Sequence, residues 1–466
     1  MRHTKIICTI GPATDSPQML AAMADAGMNI ARLNMSHGDH PSCLNIINHI
    51  KAMNAEREQP VAILMDTQGP EIRTGMLQDE LKLAEGDEIT VSVRGSENVE
   101  ESSLQINYED LITSVEVGDR ITVDNGLINL DVLDKDNRTL RCMVVDGGVV
   151  KSKRHVNLPG IRVNLPAITE KDHKDILFAI EQTVDFIALS FVRTPDDVLE
   201  LRELLNKHNS SIKIIAKIED QEGLSNIDAI IQVADAVMVA RGDLGVEINI
   251  EDLPRVQRHI IERCAIIGRP VIVATHMLES MIENPIPTRA EVTDIANAVY
   301  EEADAIMLSG ETTVGKHPIR SIDYLHRVST VSETQPCLNF SENWDREDAK
   351  KELAYSAVRL ADAINAKGIL VITRAGKMAL SACLSRPKKS AIYAFTFEPA
   401  VQRQLLLQRG VYPRLIDRDS DSEVMLAQAF NKLVAAEEAV SGDQFVVISD
   451  LIVKDNVDAI QVRTVN

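Results

Sequence analysis

Short apolar runs alternate with amphipathic stretches along most of this chain, and the runs end on polar residues. Apolar runs bounded by turns read as buried strands; apolar positions recurring every three or four residues read as helices facing a core. The first three strands are KIICTIG (5–11), NIARLNM (29–35) and PVAILMDT (60–67), separated by helical patterns starting near Ser16-Pro17 and Pro41. The alternation then stops. From about Pro70 to about Leu165 the pattern is short alternating strands and turns with no convincing helix, which reads as a small inserted β domain. It resumes with VDFIALSFV (184–192), SIKIIAKIE (211–219), AVMVARGDLG (236–245), RPVIVATHML (269–278) and ADAIMLSGE (303–311). Three strands and five make eight, the number that closes a parallel (β/α)8 TIM barrel. A polar segment at 333–352 looks like a linker to a third, α/β domain with strands GILVITR, SAIYAFT and DQFVVISD. The expected division is 1–69 with 166–340 for the barrel, 70–165 for the insertion and 341–466 for the C-terminal domain.

Length and charge narrow the function. At 466 residues there is ample chain for two or three domains. The formal charge of −21, from 49 basic and 70 acidic residues, argues against a nucleic-acid or anionic-membrane surface. An anionic substrate must therefore be held by a local cluster of cations or by metal ions. Cys8, Cys43, Cys142, Cys264, Cys337 and Cys383 are scattered without CxxC spacing, which suits reduced thiols. No signal-like h-region and no membrane-length apolar stretch is seen, so the cytoplasm is the expected compartment.

Barrel enzymes carry their chemistry at the C-terminal ends of the strands, and those ends are polar here. Alternate residues on a strand share a face, so Arg32, Asn34 and Ser36 point together, as do Lys217 and Glu219. Asp66 with Thr67, Asp243, Thr275, and Ser309 with Glu311 end other strands. An isolated Lys-x-Glu pair is more often a plain ion pair than a site. Its company at the other strand ends reverses that judgement. Glu219 and Asp243 come from consecutive strands and can converge as two hard oxygen ligands, a set suited to Mg2+ with water and substrate oxygens. GETTVGKH (310–317) misses a phosphate-binding loop by one hydroxyl residue and is followed by Pro318, so it reads as an ordinary βα connection.

CTIGPAT, RLNMSHG, DTQGPEIRTG, VNLPG, KIEDQEGL, MVARGDLGVE, MLESM, PTRAE and DAIMLSGET occur in that order, and so ordered the chain closely resembles the pyruvate kinase family, in its bacterial form without an N-terminal extension. The resemblance implies phosphoryl transfer from phosphoenolpyruvate to ADP, giving pyruvate and ATP. It implies a homotetramer that needs Mg2+ (or Mn2+) and K+, with the insertion as a small β-barrel lid closing over the site. By motif, Lys217 contacts the phosphoryl group in transfer, Arg32 clamps the phosphate, and Glu219 and Asp243 hold Mg2+. The amides near Gly242 and Asp243, with Thr275, receive the substrate carboxylate; Thr275, Ser309 and Glu311 support protonation of the enolate through water. Asn34, Ser36, Asp66 and Thr67 match the K+ site, and Glu71 marks the K+-requiring form. Pro12, Asn34, His37, Arg73 and Arg154 match nucleotide contacts.

The departures from the family pattern are Gln68, Asp220, His276, Asn125, Arg154 and His155, where lysine, asparagine, glutamine, an acid, lysine and glycine are usual. Strand parity turns Asp220 away from the metal. In the C-terminal domain, Thr373, Arg374, Gly376 and Lys377 form a candidate loop for a sugar-phosphate or nucleotide effector. Ala375 and Met378 stand where sugar-phosphate-activated members are rich in Ser and Thr, and the terminal segment lacks a glycine-rich loop. A barrel lyase or aldolase binding a Mg2+-enolate is the alternative enzyme, opposed by His37, Arg73 and the lid. A non-catalytic descendant is opposed by the presence of Lys217, Glu219 and Asp243.

Overall fold

The computed structural model describes residues 1–77, 79–94, 103–419, 421–449 and 459–465. Eight parallel strands close into a barrel: β1 (Lys5–Thr9), β2 (Ile30–Asn34), β3 (Ala62–Asp66), β4 (Phe186–Leu189), β5 (Lys213–Ile218), β6 (Ala236–Ala240), β7 (Val271–Ala274) and β8 (Ala305–Leu308). Their order, β1-β8-β7-β6-β5-β4-β3-β2, sets each strand beside its neighbours in sequence. Both faces of these strands are covered, which is why they read as nearly unbroken apolar runs. One face fills the lumen with residues such as Ile7, Leu64, Ile215, Met238 and Ile272. The other packs under the surrounding helices.

Local chemistry starts those helices. Thr169 and Asp172 form a capping box for the helix Glu170–Glu181, and Thr194 and Asp197 do the same for Pro195–Lys207. The PTRAE motif is a third such box: Thr288 caps Arg289–Tyr300, and Glu291 reaches back to the Thr288 amide. Among the described residues no helix is long and apolar enough to cross a membrane, and all six cysteines are free.

The insertion is a six-stranded mixed sheet, with strands at Val156–Asn157, Arg120–Val123, Ile128–Lys135, Thr139–Asp146, Glu88–Val93 and Ser103–Ile106 in spatial order. Its hydrogen-bonded order does not close on itself among the described residues. A two-stranded ribbon, Leu81–Leu83 with Gly148–Val150, lies beside it. Contrary to the sequence expectation, it holds one helical turn, Leu111–Ser114, which carries the fully buried Leu111 into the lid core.

The C-terminal domain has a five-stranded sheet of β9 (Gly368–Ile372), β10 (Ala391–Thr396), β11 (Val411–Leu415), β12 (Gln444–Ser449) and β13 (Ala459–Thr464), ordered β11-β10-β9-β12-β13. Two of these, β11 and β13, are edge strands absent from the sequence reading. Pro413 within β11 disguises it, since proline removes a ladder donor and is tolerated at an edge.

This domain is not loosely tethered. Leu406 and Leu407 join the lumen cluster alongside Phe186, Ala236 and Ala305, the first residues of their strands, and so plug the N-terminal mouth of the barrel. The polar segment read as a linker is a packed seam: Trp344 is buried, and a Cβ on Gly268 would stand 2.5 Å from its Nε1. Arg386 grips Asp304 through Nη1–Oδ1 (2.6 Å) and Nη2–Oδ2 (2.9 Å). With the N-terminal mouth closed, the open face is the C-terminal one, where the polar strand ends gather.

Candidate active site

Lys217 is the hub of that face. It stands one residue before the end of β5, with its ammonium 2.6 Å from Ser190 Oγ, 3.0 Å from Glu219 Oε1 and 3.2 Å from Asp66 Oδ1. Asp66 ends β3, opposite Asn34 of β2, and its other oxygen accepts from Arg32 Nε at 2.7 Å. Arg32 also donates Nη1 to Thr9 Oγ1 at 2.9 Å, and its Nη2 makes no hydrogen bond among the described residues. One buried carboxylate thus holds two cations, Arg32 and Lys217, close together. Burial works against the charge on Lys217, but Asp66 and Glu219 outweigh it and hold its pKa above the usual lysine value. For Asp66 burial favours the acid, yet Lys217 and Arg32 together keep it ionised below the usual carboxylate range.

Glu219 follows β5 directly. Its Oε2 accepts from the Phe191 amide at 2.6 Å, which fixes the carboxylate in place. Asp243 faces it from a different element than expected: β6 ends at Ala240, and RGDLGVE forms a short helix, Arg241–Glu247, with Asp243 in its first turn. Burial raises the pKa of Glu219, with Lys217 opposing and the Asp243 charge reinforcing. Asp243 is raised as well, by burial first, against Lys217. The Asp243 charge raises Glu219 while a hydrogen bond from Glu219 lowers Asp243, so burial leaves the pair of carboxyls short of full charge; a hard divalent cation relieves that, and the residues fit Mg2+. Among the described residues no three His, Cys, Asp or Glu side chains gather as a metal cluster, so an ion here relies on these two acids with water and substrate oxygens.

Asp220, the unexpected extra acid, turns away and caps the helix Gln221–Ser225, accepting from the Gly223 amide at 2.7 Å. Thr275 follows β7 at φ 67°, a left-handed conformation costly for a β-branched residue. Its Oγ1 accepts from the Gly242 amide at 2.8 Å, so the two groups assigned to a substrate carboxylate already meet. Glu311 is fully buried and accepts from the amides of Leu278 (2.9 Å) and Ser309 (2.7 Å), which makes it a brace between the loops after β7 and β8. Ser309 sits on that braced loop.

On the β2 side, Asn34 Oδ1 accepts from the Ser36 amide at 3.1 Å, and the Thr67 carbonyl accepts from Ser190 Oγ at 2.8 Å. Glu71 accepts from Arg73 Nε (2.7 Å) and from Gln68 Nε2 (2.9 Å), so Gln68 is a neutral partner to that acid. Gly69 just before it, at φ 73°, lies where a Cβ would come within 2.8 Å of Ser190 Cβ. The glycine of the TQGPE motif lets the chain into the lid pass that close to the end of β4. Arg154 Nη1 lies 3.4 Å from Asp124 Oδ1 inside the lid. Pro12 and His37 are exposed on the loops after β1 and β2, and no side-chain contact joins them to Lys217 among the described residues.

The lid touches the barrel beside this site. Asn157 Nδ2 donates to Glu247 Oε1 at 2.8 Å, and Arg193 donates to the carbonyls of Val163 and Leu165 on the segment returning to the barrel. His155, in place of a usual glycine, packs near Phe191 with ring centroids 6.2 Å apart.

Two contributors escaped the sequence reading. Ser190 touches Lys217 from the end of β4, whose ALSFV run reads as apolar. Its lone polar residue at a strand end was the available signal. Arg241 donates to the Thr275 carbonyl (2.6 Å), the Ala274 carbonyl (3.1 Å) and Asp294 (2.8 Å), bracketing the strained turn. Strand parity gives no hint of it, because it begins a helix.

Comparison with known proteins agrees with the geometry. Residues 1–322 match the family model "Pyruvate kinase, barrel domain", and residues 351–462 match "Pyruvate kinase, alpha/beta domain". The chain is 43% identical to a pyruvate kinase of Bacillus licheniformis over 455 residues, covering 96% of this chain and 77% of that protein. It is 42% identical to pyruvate kinase isozyme G, chloroplastic, of Nicotiana tabacum over 452 residues, covering 96% and 80%. A Geobacillus stearothermophilus pyruvate kinase matches at 42% over 454 residues, covering 96% and 77%. The chain belongs to the pyruvate kinase family and is a phosphotransferase of that family.

Proposed function

We propose that the pocket around Lys217 carries the phosphoryl group of phosphoenolpyruvate to ADP, leaving an enolate that is protonated to pyruvate. The supporting observation is the buried Arg32–Asp66–Lys217 chain, which sets two fixed cations side by side at the open mouth of an otherwise acidic protein. Transfer between two anions needs positive charge placed before the reaction, and a shared buried carboxylate keeps both cations charged and in place. Arg32, with its free Nη2, takes the phosphate before transfer. Lys217 follows the phosphoryl group and the charge that develops on the enol oxygen.

Glu219 and Asp243 would hold Mg2+ (or Mn2+), which, when bound, supplies charge neutralisation for the substrate oxygens. Gly242 and Thr275 orient the carboxylate end, and Arg241 holds that turn. Ser309 and Glu311 keep the loop beside it fixed while a proton reaches the enolate carbon through water. The lid, tied to the barrel by Asn157 and Arg193, excludes bulk water that would otherwise take the phosphoryl group. Arg73, Arg154, His37, Pro12 and Asn34 line the side assigned to the nucleotide. The protein acts in the cytoplasm as a homotetramer. The test is a coupled assay of pyruvate formation: turnover is expected only with ADP and a divalent cation together, and pyruvate formed without ADP sinks the reading.

Asn34, Ser36, Asp66 and Thr67 are the proposed K+ site, with Glu71 as the nearby acid that leaves room for a mobile cation. Glu71→Lys is expected to lower K+ activation, because a fixed ammonium takes the ion's electrostatic place. Unchanged K+ dependence in that variant removes the role given to Glu71.

The loop Thr373, Arg374, Gly376 and Lys377 offers little for a sugar bisphosphate. Thr373 is buried with its Oγ1 accepting from the Gly376 amide at 3.1 Å, and Gly376 packs against Leu405. Residues 450–458 of the terminal segment, read from the sequence as lacking a glycine-rich loop, lie outside the described residues. Fructose 1,6-bisphosphate is expected to leave the half-saturating phosphoenolpyruvate concentration nearly unchanged; a large drop on adding it contradicts this.

A further inference from the structure

The helix Glu170–Glu181 follows the lid's return to the barrel, and two adjacent residues of its first turn reach into two different loops. Lys171 Nζ donates to the Met35 carbonyl, on the loop after β2, at 2.7 Å and to Asp175 Oδ2 at 2.7 Å. His40 Nε2 lies 2.7 Å from the other oxygen of Asp175, and its ring stacks on Phe178 with centroids 4.4 Å apart, so the lysine is anchored from behind. Asp172 is fully buried. Its Oδ1 accepts from the amides of Gln68 and Gly69, on the loop after β3, each at 3.1 Å, while Oδ2 closes the capping box with Thr169.

Each of these contacts fixes a peptide plane. No peptide bond among the described residues is cis, and in a trans peptide the carbonyl of one residue and the amide of the next share a plane and point opposite ways. The Gln68 amide shares its plane with the Thr67 carbonyl, so Asp172 aims that carbonyl. The Met35 carbonyl shares its plane with the Ser36 amide, which donates to Asn34 Oδ1 at 3.1 Å. Lys171 thereby sets Ser36 and, through it, the Asn34 side chain.

Asn34 and Asp66 stand in register on β2 and β3, and the Met35 amide donates to the Asp66 carbonyl at 2.9 Å, which keeps the two loops together. The Thr67 carbonyl accepts one bond from Ser190 Oγ and has a second lone pair to offer. The side-chain oxygens of Asn34, Ser36 and Asp66 with the Thr67 carbonyl form an all-oxygen donor set carrying one negative charge, which fits a monovalent cation. Both segments that carry this set are held by one helical turn.

We propose that Lys171 and Asp172 are positioning residues for the monovalent cation: they preset the two peptide planes that aim its oxygen donors, and so raise its affinity. This rests on the K+ reading of Asn34, Ser36, Asp66 and Thr67. It adds that the affinity of the pocket is set by a helix that supplies none of its ligands, through preorganisation rather than contact.

Lys171→Met separates positioning from charge. Taking an ammonium away from beside a cation site strengthens binding if its charge alone matters, and weakens binding if its task is to hold the Met35 carbonyl. The Lys171 side chain is half-exposed and Asp175 keeps His40, so the variant should fold. Asp172→Asn, of nearly equal volume, is the second variant. Tl+, standing in for K+, is titrated into the full chain with Mg2+ present and followed by thallium NMR line width; Mn2+ affinity is measured separately by electron paramagnetic resonance.

Tl+ affinity is expected to fall about tenfold in Lys171→Met, the scale of one lost charge-assisted hydrogen bond, and to fall in Asp172→Asn as well, with Mn2+ affinity kept in both. The half-activating K+ concentration should rise by the same factor. Unchanged or tighter Tl+ binding in Lys171→Met overturns the positioning role and leaves the K+ site standing. Parallel loss of Tl+ and Mn2+ affinity also overturns it, since that marks general damage to the barrel mouth. A native chain that binds no Tl+ removes the K+ site itself, and the positioning role with it.

Discussion

Lys217→Met is expected to cut kcat for pyruvate formation by about 10²- to 10³-fold, the loss typical of removing one preorganised electrostatic donor. That corresponds to about 2.7–4 kcal/mol of transition-state stabilisation. Methionine keeps the volume of the stem but removes the ammonium that bridges Ser190, Asp66 and Glu219. Asp66 retains Arg32 at 2.7 Å, so the open mouth of the barrel keeps one ion pair and the fold should survive. Substrate binding should weaken less than turnover, because Arg32 and the metal ligands remain. Steady-state kinetics on the folded variant checks this, and near-native kcat removes Lys217 from the mechanism.

Arg386→Ala is expected to be the most damaging change outside the site. Asp304 is fully buried at the foot of β8, where Oδ2 also accepts from the Val271 amide of β7 at 3.0 Å. Arg386 supplies both arms of its guanidinium to that carboxylate and a third bond to the Glu302 carbonyl at 3.1 Å. Burial disfavours the charge of Arg386, but Asp304 raises its pKa above the already high arginine value. Removing one partner of such a pair leaves an uncompensated buried charge, at a cost of about 3–5 kcal/mol. Arg386→Lys should recover only part of it, since an ammonium cannot match the two-pronged geometry. Urea unfolding of the three proteins measures the difference; a loss for Arg386→Ala below about 1 kcal/mol, the scale of an exposed pair, contradicts a structural role at the seam.

The barrel was legible because strands covered on both faces leave continuous apolar runs, and their polar ends stand out against them. Lys217, Glu219, Asp66 and Arg32 follow from that contrast and from alternation along a strand. Their meeting does not follow from any one stretch, since Arg32 and Lys217 join only through Asp66 on a third strand. Asp243 was found by its motif but misplaced by element, because a strand pattern does not reveal where the chain turns into the Arg241–Glu247 helix. Ser190 and Arg241 were missed for the reasons of context given above.

Long-range packing was the least legible. Leu405–Leu407 reads as any apolar run, yet two of its leucines close the mouth of a barrel some two hundred residues upstream. The 333–352 segment reads as polar, yet Trp344 and Ser341 are buried in the seam. The β11 strand is hidden by Pro413, and β13 shows only a weak alternation because one of its faces is half exposed.

The most direct test follows the phosphoryl group itself. With phosphoenolpyruvate labelled in its phosphate, ADP, Mg2+ and K+, the label is expected in the γ position of ATP in step with pyruvate, and Lys217→Met should abolish most of that transfer. Label appearing instead as inorganic phosphate, or pyruvate arising without labelled ATP, contradicts direct transfer between the two substrates in the Lys217 pocket.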